Sequence, residues 1–313
     1  MVILPPYASL LERVWHYVFL ALCTAIFIFL IAPILVIIPL SFNADAYFTF
    51  SKEMLTLDPA GFSLRWYDQL LVHGMQAPDA VRDGNWWRDV WDNAAWVKAT
   101  KNSIIIGFWA TIFATCLGTL AALGLARPEM PYRRTIMAVL ISPMIVPIII
   151  IATGMFFFYS SPCGLIGMEC GRLTSTYLGV ILAHTTLGIP FVIITVTATL
   201  SGFDQSLIRA SASLGANPRR TFFKVIMPLI LPGVISGGLF AFVTSFDEVV
   251  AVLFIAGPDQ QTIPRQMWNG IREAISPAIL AVATLLVILS IGLLATIELL
   301  RRRSDRLRGV TGR

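Results

Sequence analysis

Charged side chains are scarce in this sequence. Only 13% of the 313 residues are Asp, Glu, Lys or Arg, whereas soluble domains carry about 25%. Hydrophobic residues make up 57% of the chain, and its mean hydropathy is +0.77. The apolar residues cluster into runs longer than a core helix needs. The composition therefore excludes an ordinary soluble domain and predicts a membrane protein.

Motifs for enzymatic chemistry and metal binding are also missing. The sequence has no Gly-x4-Gly-Lys-Ser/Thr loop, so we do not expect the chain to hydrolyse ATP itself. Its four cysteines form no Cys-x-x-Cys pair, and no Ser/His/Asp set, paired acid–base carboxylates or metal-ligand spacing stands out. We therefore expect no catalytic residue, no metal and no cofactor in this chain.

Two of the cysteines, Cys163 and Cys170, share one short loop. No histidine lies near them, which argues against a metal site. If this loop lies outside the cytosol, the two can form a disulfide, and free thiols are the alternative.

Six apolar runs are long enough to cross a bilayer, which predicts an all-α polytopic membrane protein with six transmembrane helices. They cover residues 14–40, 99–126, 135–159, 177–200, 228–256 and 277–300. A cleavable signal peptide is the alternative for the first run, but that run is about twice too long for one. Pro143 and Pro147 interrupt the hydrogen bonding of the third run, so neighbouring groups must fill the gaps.

The segments between these runs alternate in net charge. Residues 41–97 carry −4, whereas 127–134 carry +2 and 201–227 carry +3. The segments 160–176 and 257–276 are neutral, and six arginines against one aspartate follow the last run. Because basic segments stay on the cytoplasmic side, both termini are expected in the cytoplasm, with 41–97 outside. The overall charge of +5 then reflects a bilayer facing the cytosol, not nucleic-acid binding.

The outer segment 41–97 is rich in amphipathic aromatic residues, among them Trp86, Trp87, Trp91 and Trp96. They are typical of short helices lying at the membrane surface, with their rings at headgroup depth. A platform that stacks on nucleobases or sugars is the alternative.

A polar, basic interruption separates the fourth and fifth runs. Residues 204–214 predict a helix that ends at Gly215, and Asn217 followed by Pro218 is a turn signal that restarts a helix at Arg219. The pattern predicts a helix–turn–helix of about twenty residues on the arginine-rich side of the membrane. A basic loop that only obeys the positive-inside rule is the alternative.

This interruption resembles the cytoplasmic loop of ABC-importer permeases, whose pattern is E-A-A-x3-G-x9-I-x-L-P. Ala210, Gly215 and Pro228 are identical to that pattern, and Arg209 stands where the family usually has Glu. In the family this loop docks into a cleft on an ATPase subunit. The residues to which the resemblance assigns ATPase coupling are Arg209, Ala210, Ser211, Gly215, Ala216, Asn217 and Pro218.

The stretch SFDEVVAVLFIAGP, residues 245–258, resembles the second permease subunit of spermidine/putrescine ABC importers. The resemblance implies a type I ABC importer permease fold with a cytoplasmic coupling helix, in a bacterial inner membrane. It also implies a second homologous permease, two ATPase subunits that bind ATP and Mg, and an external solute-binding protein. A different solute within the same subfamily stays open.

Two adjacent carboxylates, Asp247 and Glu248, lie within the fifth run. A charge at bilayer depth costs about 2.5–3.5 kcal/mol unless it faces water or a partner. Adjacent helical residues point in different directions, so we expect Asp247 to line the solute pathway and Glu248 to pair with another helix. An acidic lining favours a cationic solute. The alternative is that both carboxylates pair with cations within the complex and never meet the solute.

Three polar residues within the runs have less specific roles. His184 is expected to be a hydrogen-bonded packing residue rather than a proton carrier. Asn102 and Ser103 either line the pathway or form hydrogen bonds between helices.

The sequence therefore predicts a permease subunit of an ATP-driven importer. Two alternatives come from other classes: a carrier driven by an ion gradient, and a membrane scaffold or sensor that transports nothing. The first would be expected to show related halves, and no internal repeat is apparent.

Overall fold

The computed structural model describes residues 9–127, 129–160, 172–202, 204, 206–273 and 276–307. Cys163 and Cys170 lie outside these residues, so their pairing stays a prediction. Over the described ranges the chain is helical and contains no strand beyond one isolated bridge. The helices are α1 Leu10–Leu40, α2 Lys52–Leu55, α3 Arg65–Val72, α4 Gly84–Asn93, α5 Ala95–Leu125, α6 Arg133–Ile145, α7 Ile148–Ser160, α8 Tyr177–Ser201, α9 Ser206–Ser213, α10 Pro218–Thr221, α11 Met227–Phe246, α12 Val250–Ile255, α13 Ile263–Glu273 and α14 Ala278–Leu307.

Four helices are long and apolar enough to cross a membrane: α1, α5, α8 and the continuous helix Pro218–Phe246 that contains α11. The bent pair of α6 and α7 makes a fifth span if the two are counted together. α14 is helical over Ala278–Leu307, and its apolar stretch is described only over Ala278–Gly292. The all-helical fold is therefore confirmed, and the count of six spans stays a prediction.

The third apolar run is broken in the structure, where the sequence indicated one helix over 135–159. α6 ends at Ile145, α7 begins at Ile148, and the two helices differ in direction by 103°. Pro147 explains the break, because it has no N–H to donate and forces the preceding Val146 into an extended conformation.

The fifth run is also interrupted, so Asp247 and Glu248 do not lie in one continuous helix over 228–256. α11 ends at Phe246, and α12 begins only at Val250. The N–H of Asp247 donates to the carbonyl of Val243 at 3.0 Å and so closes α11. The backbone must then begin a new helix, and the side chain of Glu248 accepts a hydrogen bond at the first turn of that helix.

The described chain forms two compact units. One contains the described residues within 9–73 and 270–307, and the other contains those within 74–269. In the first unit α14 packs against α1 and α3. Trp66 anchors the loop after α1, because its indole N–H donates to the carbonyl of Asn43 at 2.7 Å.

In the second unit α5, α8 and α11 pack closely against one another. Small residues on the facing sides allow this approach. A Cβ on Gly188 would lie 3.2 Å from the Cβ of Ala114 and 3.1 Å from that of Ala241. A Cβ on Gly237 would lie 2.4 Å from Oγ1 of Thr195 and only 2.9 Å from a backbone carbon of α8. The contact between α8 and α11 therefore depends on the absence of a side chain at residue 237.

Replacing Gly237 tests this packing. Gly237→Ala should destabilise the protein by about 1–3 kcal/mol, because the added methyl group meets backbone that cannot move aside. Gly124→Ala is the matched control, since a Cβ at Gly124 has no neighbour within 4 Å. The readout is the thermal unfolding midpoint of the purified protein in detergent. Equal midpoints for the two variants would contradict the packing described above.

Candidate functional site

The segment between α8 and α11 folds as a helical hairpin, here called the coupling hairpin (residues 206–221). Its first helix, α9, ends before Gly215, which has a φ of +76° that favours glycine. Its second helix, α10, begins at Pro218 and is capped by Asn217, whose side chain accepts from the N–H of Arg220 at 2.8 Å. The predicted helix–turn–helix is confirmed, and its second helix begins one residue earlier than predicted.

Hydrogen bonds hold the two arms of the coupling hairpin together. The hydroxyl groups of Ser211 and Thr221 lie 2.7 Å apart in a buried contact between α9 and α10. Within the turn, the N–H of Ala216 donates to the carbonyl of Ser211 at 3.1 Å. At the start of α9, the carboxylate of Asp204 accepts from the hydroxyl and N–H of Ser206, which lowers the pKa of Asp204. The coupling hairpin is thus closed at its turn and between its arms.

The tip of the coupling hairpin combines an exposed apolar residue with positive charge. Leu214 is 88% exposed. Arg209 on α9 and Arg219 and Arg220 on α10 are also exposed. Of the remaining residues that the sequence assigned to coupling, Ser211 is buried between the arms and Ala216 is half-buried. Those that are exposed are Ala210, Gly215, Asn217 and Pro218. The exposed part of the hairpin therefore carries both an apolar side chain and positive charge.

The coupling hairpin continues directly into a membrane helix. A π-helical stretch, Phe222–Ile226, joins α10 to α11 without a break. Pro228 explains the wider turn, because it cannot donate a backbone hydrogen bond and its ring crowds the carbonyl four residues earlier. A displacement of the hairpin would therefore be passed to α11 along continuous helical backbone.

The two carboxylates after α11 have different environments. Asp247 is exposed, whereas Glu248 is only 8% exposed. Among the described residues, no partner on another helix is seen for Glu248, so the expected pairing stays a prediction. Its Oε1 accepts from the N–H of Ala251 at 2.8 Å and so caps the start of α12. Of the two, only Asp247 presents its carboxylate to the surroundings, and its contact with solute stays a prediction.

His184 lies in the packed core of the second unit. It is 1% exposed, and its Nδ1 lies 2.7 Å from Oγ of Ser245. This bond joins α8 to the last turn of α11, two residues before Asp247. The position agrees with the expected packing role.

Asn102 and Ser103 connect α5 to the segment before α13. The Asn102 amide donates to the carbonyls of Asp259 and Gln261, each at 2.8 Å, and accepts from the Tyr177 hydroxyl at 2.7 Å. Ser103 Oγ accepts from the N–H of Ile263 at 2.9 Å. Of the two alternatives for these residues, the structure shows hydrogen bonding between elements.

Arg265 is a structural residue that the sequence did not reveal. Its Nη1 donates to the carbonyls of Val252 at 2.9 Å and Ala256 at 2.8 Å, at the end of α12. In the sequence Arg265 counted only toward the charge of a neutral segment. A lone arginine beside a short apolar stretch was the available signal, but it does not indicate which carbonyls the side chain would reach.

Four of the five tryptophans in residues 41–97 divide into two groups. Trp86 and Trp96 are buried, and Trp86 donates its indole N–H to the carbonyl of Pro78 at 3.3 Å. Trp87 and Trp91 are exposed, and the ammonium group of Lys101 lies 4.5 Å from the Trp91 ring centroid. Only this second pair has the exposure that the predicted membrane-surface role requires. The part of the chain that the structure covers contains no cluster of metal-ligating side chains.

Changing Asn102 tests the link between α5 and the segment before α13. Asn102→Asp removes both amide donors, so two carbonyls lose their partners and face a carboxylate. The protein should lose about 2–4 kcal/mol of stability, measured as a lower thermal unfolding midpoint in detergent. Asn85→Asp is the control, because Asn85 is exposed at the start of α4, where negative charge is tolerated. A wild-type midpoint for Asn102→Asp would show that these bonds do not hold the segment.

Comparison with known proteins identifies the family. The sequence profile of the binding-protein-dependent transport system inner membrane component matches residues 114–306. The chain is 28% identical over 280 residues to the spermidine/putrescine transport system permease protein PotC of Haemophilus influenzae, covering 90% of this chain and 95% of PotC. It is 30% identical over 299 residues to the putrescine transport system permease protein PotI of Escherichia coli, covering 95% of this chain and 94% of PotI.

A solved structure has the same fold. It is a bacterial ABC transporter involved in the import of the acidic polysaccharide alginate. The TM-score is 0.64 at 15% sequence identity, covering 95% of this chain and 99% of the other. These matches confirm the permease fold and the resemblance to polyamine-type permeases. The chain belongs to the family of binding-protein-dependent transport system inner membrane components and is a transport subunit, not an enzyme.

Proposed function

We propose that this chain is a permease subunit of an ATP-driven importer that carries a small cationic amine, such as putrescine or spermidine, into the cytoplasm. Family membership supports the transport role. PotC and PotI align over at least 90% of the chain and support an amine as the solute. The exposed carboxylate of Asp247 at the end of α11 supports a positively charged one.

The coupling hairpin is the observation that carries this proposal. Its exposed leucine and arginines form a docking surface for a cleft on an ATPase subunit, which supplies the ATP and Mg. The complete importer then contains a second, homologous permease, two ATPase subunits and an external solute-binding protein. The chain lies in the bacterial inner membrane with both termini in the cytoplasm, which places the hairpin on the side of the ATPase.

We expect the coupling hairpin to transmit force as one rigid body. The bond between Ser211 and Thr221 lets α9 and α10 move as one body. When ATP closes the ATPase dimer, this body moves with the cleft and displaces α11 through the π-helical stretch. Because α11 packs against α5 and α8 with almost no free space, these three helices reorient together. The solute passage then opens to the outside, where the binding protein releases its amine.

Replacing Gly215 tests the role of the coupling hairpin in ATP-driven transport. Gly215→Val places a β-branched residue at positive φ, which costs about 1–2 kcal/mol and distorts the turn. We expect the variant to reach the membrane normally and ATP-driven putrescine uptake to fall by a factor of roughly five to thirty. The assay uses the complete transporter reconstituted in vesicles, with ATP hydrolysis measured in parallel.

Gly202→Val is the matched control for Gly215→Val. Gly202 has a φ of −91°, and a Cβ there would approach only the carbonyl oxygen of Thr199, at 3.9 Å. Normal uptake by Gly215→Val would argue against force transmission through the hairpin. Uptake by the purified chain without any ATPase would instead support a carrier driven by an ion gradient.

Replacing Asp247 tests whether its carboxylate contacts a positively charged solute. Asp247→Asn removes the exposed negative charge, so we expect the KM for putrescine uptake to rise about tenfold, as for the loss of one charged hydrogen bond. Binding of the ATPase subunits should not change. Asp92→Asn is the control, because it neutralises an exposed carboxylate on α4. An unchanged KM for Asp247→Asn would remove this residue from the pathway.

A further inference from the structure

α12 (Val250–Ile255) is a helix of six residues inserted into the core of the second unit. Ala251, Val252 and Ile255 are buried in a hydrophobic cluster with Ile106 of α5 and Val180 of α8. In so short a helix most N–H and C=O groups lack partners within the helix. Because they lie in an apolar environment, they must find partners elsewhere.

Charged side chains from outside α12 supply partners at its two ends. The carboxylate of Glu248 accepts from the N–H of Ala251 at the first turn. The guanidinium group of Arg265 donates to the carbonyls of Val252 and Ala256 at the last turn. A negative group at the N-terminus and a positive group at the C-terminus both match the helix dipole. α12 is therefore held by a carboxyl group at its first turn and by a guanidinium group at its last turn.

Asp247 lies directly beside this capped helix. On its N-terminal side, Ser245 is bonded to the buried His184 at 2.7 Å. On its C-terminal side, the adjacent Glu248 is fixed by its bond to Ala251. The backbone of Asp247 is thus held on both sides, whereas its own side chain is exposed. A charged group on a fixed backbone can meet a ligand with little loss of conformational entropy.

We propose that Arg265 and Glu248 are positioning residues for transport: they clamp α12 and thereby hold the Asp247 carboxylate where it meets the cationic solute. Glu248 accepts a hydrogen bond from the α12 backbone and does not bind the solute. This inference rests on the proposed pathway role of Asp247 and adds a reason for the placement of that residue.

Arginine is suited to this position. A single nitrogen of Arg265 reaches two carbonyls on consecutive turns, and the planar guanidinium group is more weakly hydrated than an ammonium group. Its Nε is buried without a hydrogen-bond partner among the described residues, so the side chain is held through its Nη1 end. Arg272, on the same helix α13, is exposed and offers a matched control.

A double-mutant cycle tests the proposal on the complete transporter in vesicles, with the KM and maximal rate of ATP-driven putrescine uptake as readouts. Arg265→Met should raise the KM about tenfold, as expected for the loss of hydrogen bonds from a charged group. Because Arg265 acts through Asp247, adding Arg265→Met to Asp247→Asn should raise the KM no further. Arg265→Lys should recover part of the loss, and Arg272→Met should behave as wild type.

A second pair of variants separates capping from solute binding at Glu248. Glu248→Ala removes the cap and should raise the KM, whereas Glu248→Gln keeps an oxygen acceptor and should restore most of the affinity. If the transporter that carries Arg265→Met does not assemble, the two Glu248 variants test the positioning role in its place.

The outcomes are distinguishable. Independent, additive effects of Arg265→Met and Asp247→Asn would overturn the positioning role. A loss for Glu248→Gln as large as that for Asp247→Asn would show that Glu248 binds the solute and would overturn its assignment as a cap. If Asp247→Asn alone leaves the KM unchanged, the pathway role of Asp247 fails first, and the positioning inference fails with it.

Discussion

A backbone N–H or C=O group in an apolar environment must have a hydrogen-bond partner, and the structure of this permease depends on that constraint. In a membrane an unpaired group costs several kcal/mol, so each interruption of a helix needs a compensating contact. Two such contacts are seen: Val146 donates to Ser142 at the bend before α7, and Asp247 donates to Val243 at the end of α11. Glu248 and Arg265 supply the corresponding partners for α12.

The same constraint explains why the polar residues of the second unit serve mainly as connectors. The amide of Asn102, the imidazole of His184 and the guanidinium group of Arg265 each join one helix to another element. Asp247 differs because it remains exposed, and this difference is the structural basis for its assignment to the solute.

Much of the architecture was predictable from local sequence. Apolar runs indicated the long helices, because a helix that satisfies its own backbone is favoured in lipid. Gly215, Asn217 and Pro218 predicted the coupling hairpin, because positive φ, capping and a fixed φ at the first helical position are properties of single residues. The sequence predicted a gap in hydrogen bonding at Pro147, but it did not predict that the helix would bend there by 103°.

The remaining features depend on which residues meet in space. Asp247 and Glu248 are adjacent carboxylates in an apolar run, and their sequence alone does not show that one caps a helix while the other is exposed. Arg265 reaches carbonyls nine and thirteen residues earlier, a pairing that no local pattern specifies. The sequence by itself thus determined the helical class, the hairpin and the family, because helix propensity, turn geometry and hydropathy act over a few residues. Only the tertiary structure decided which polar groups are caps and which one is exposed, because burial and hydrogen bonding depend on distant segments.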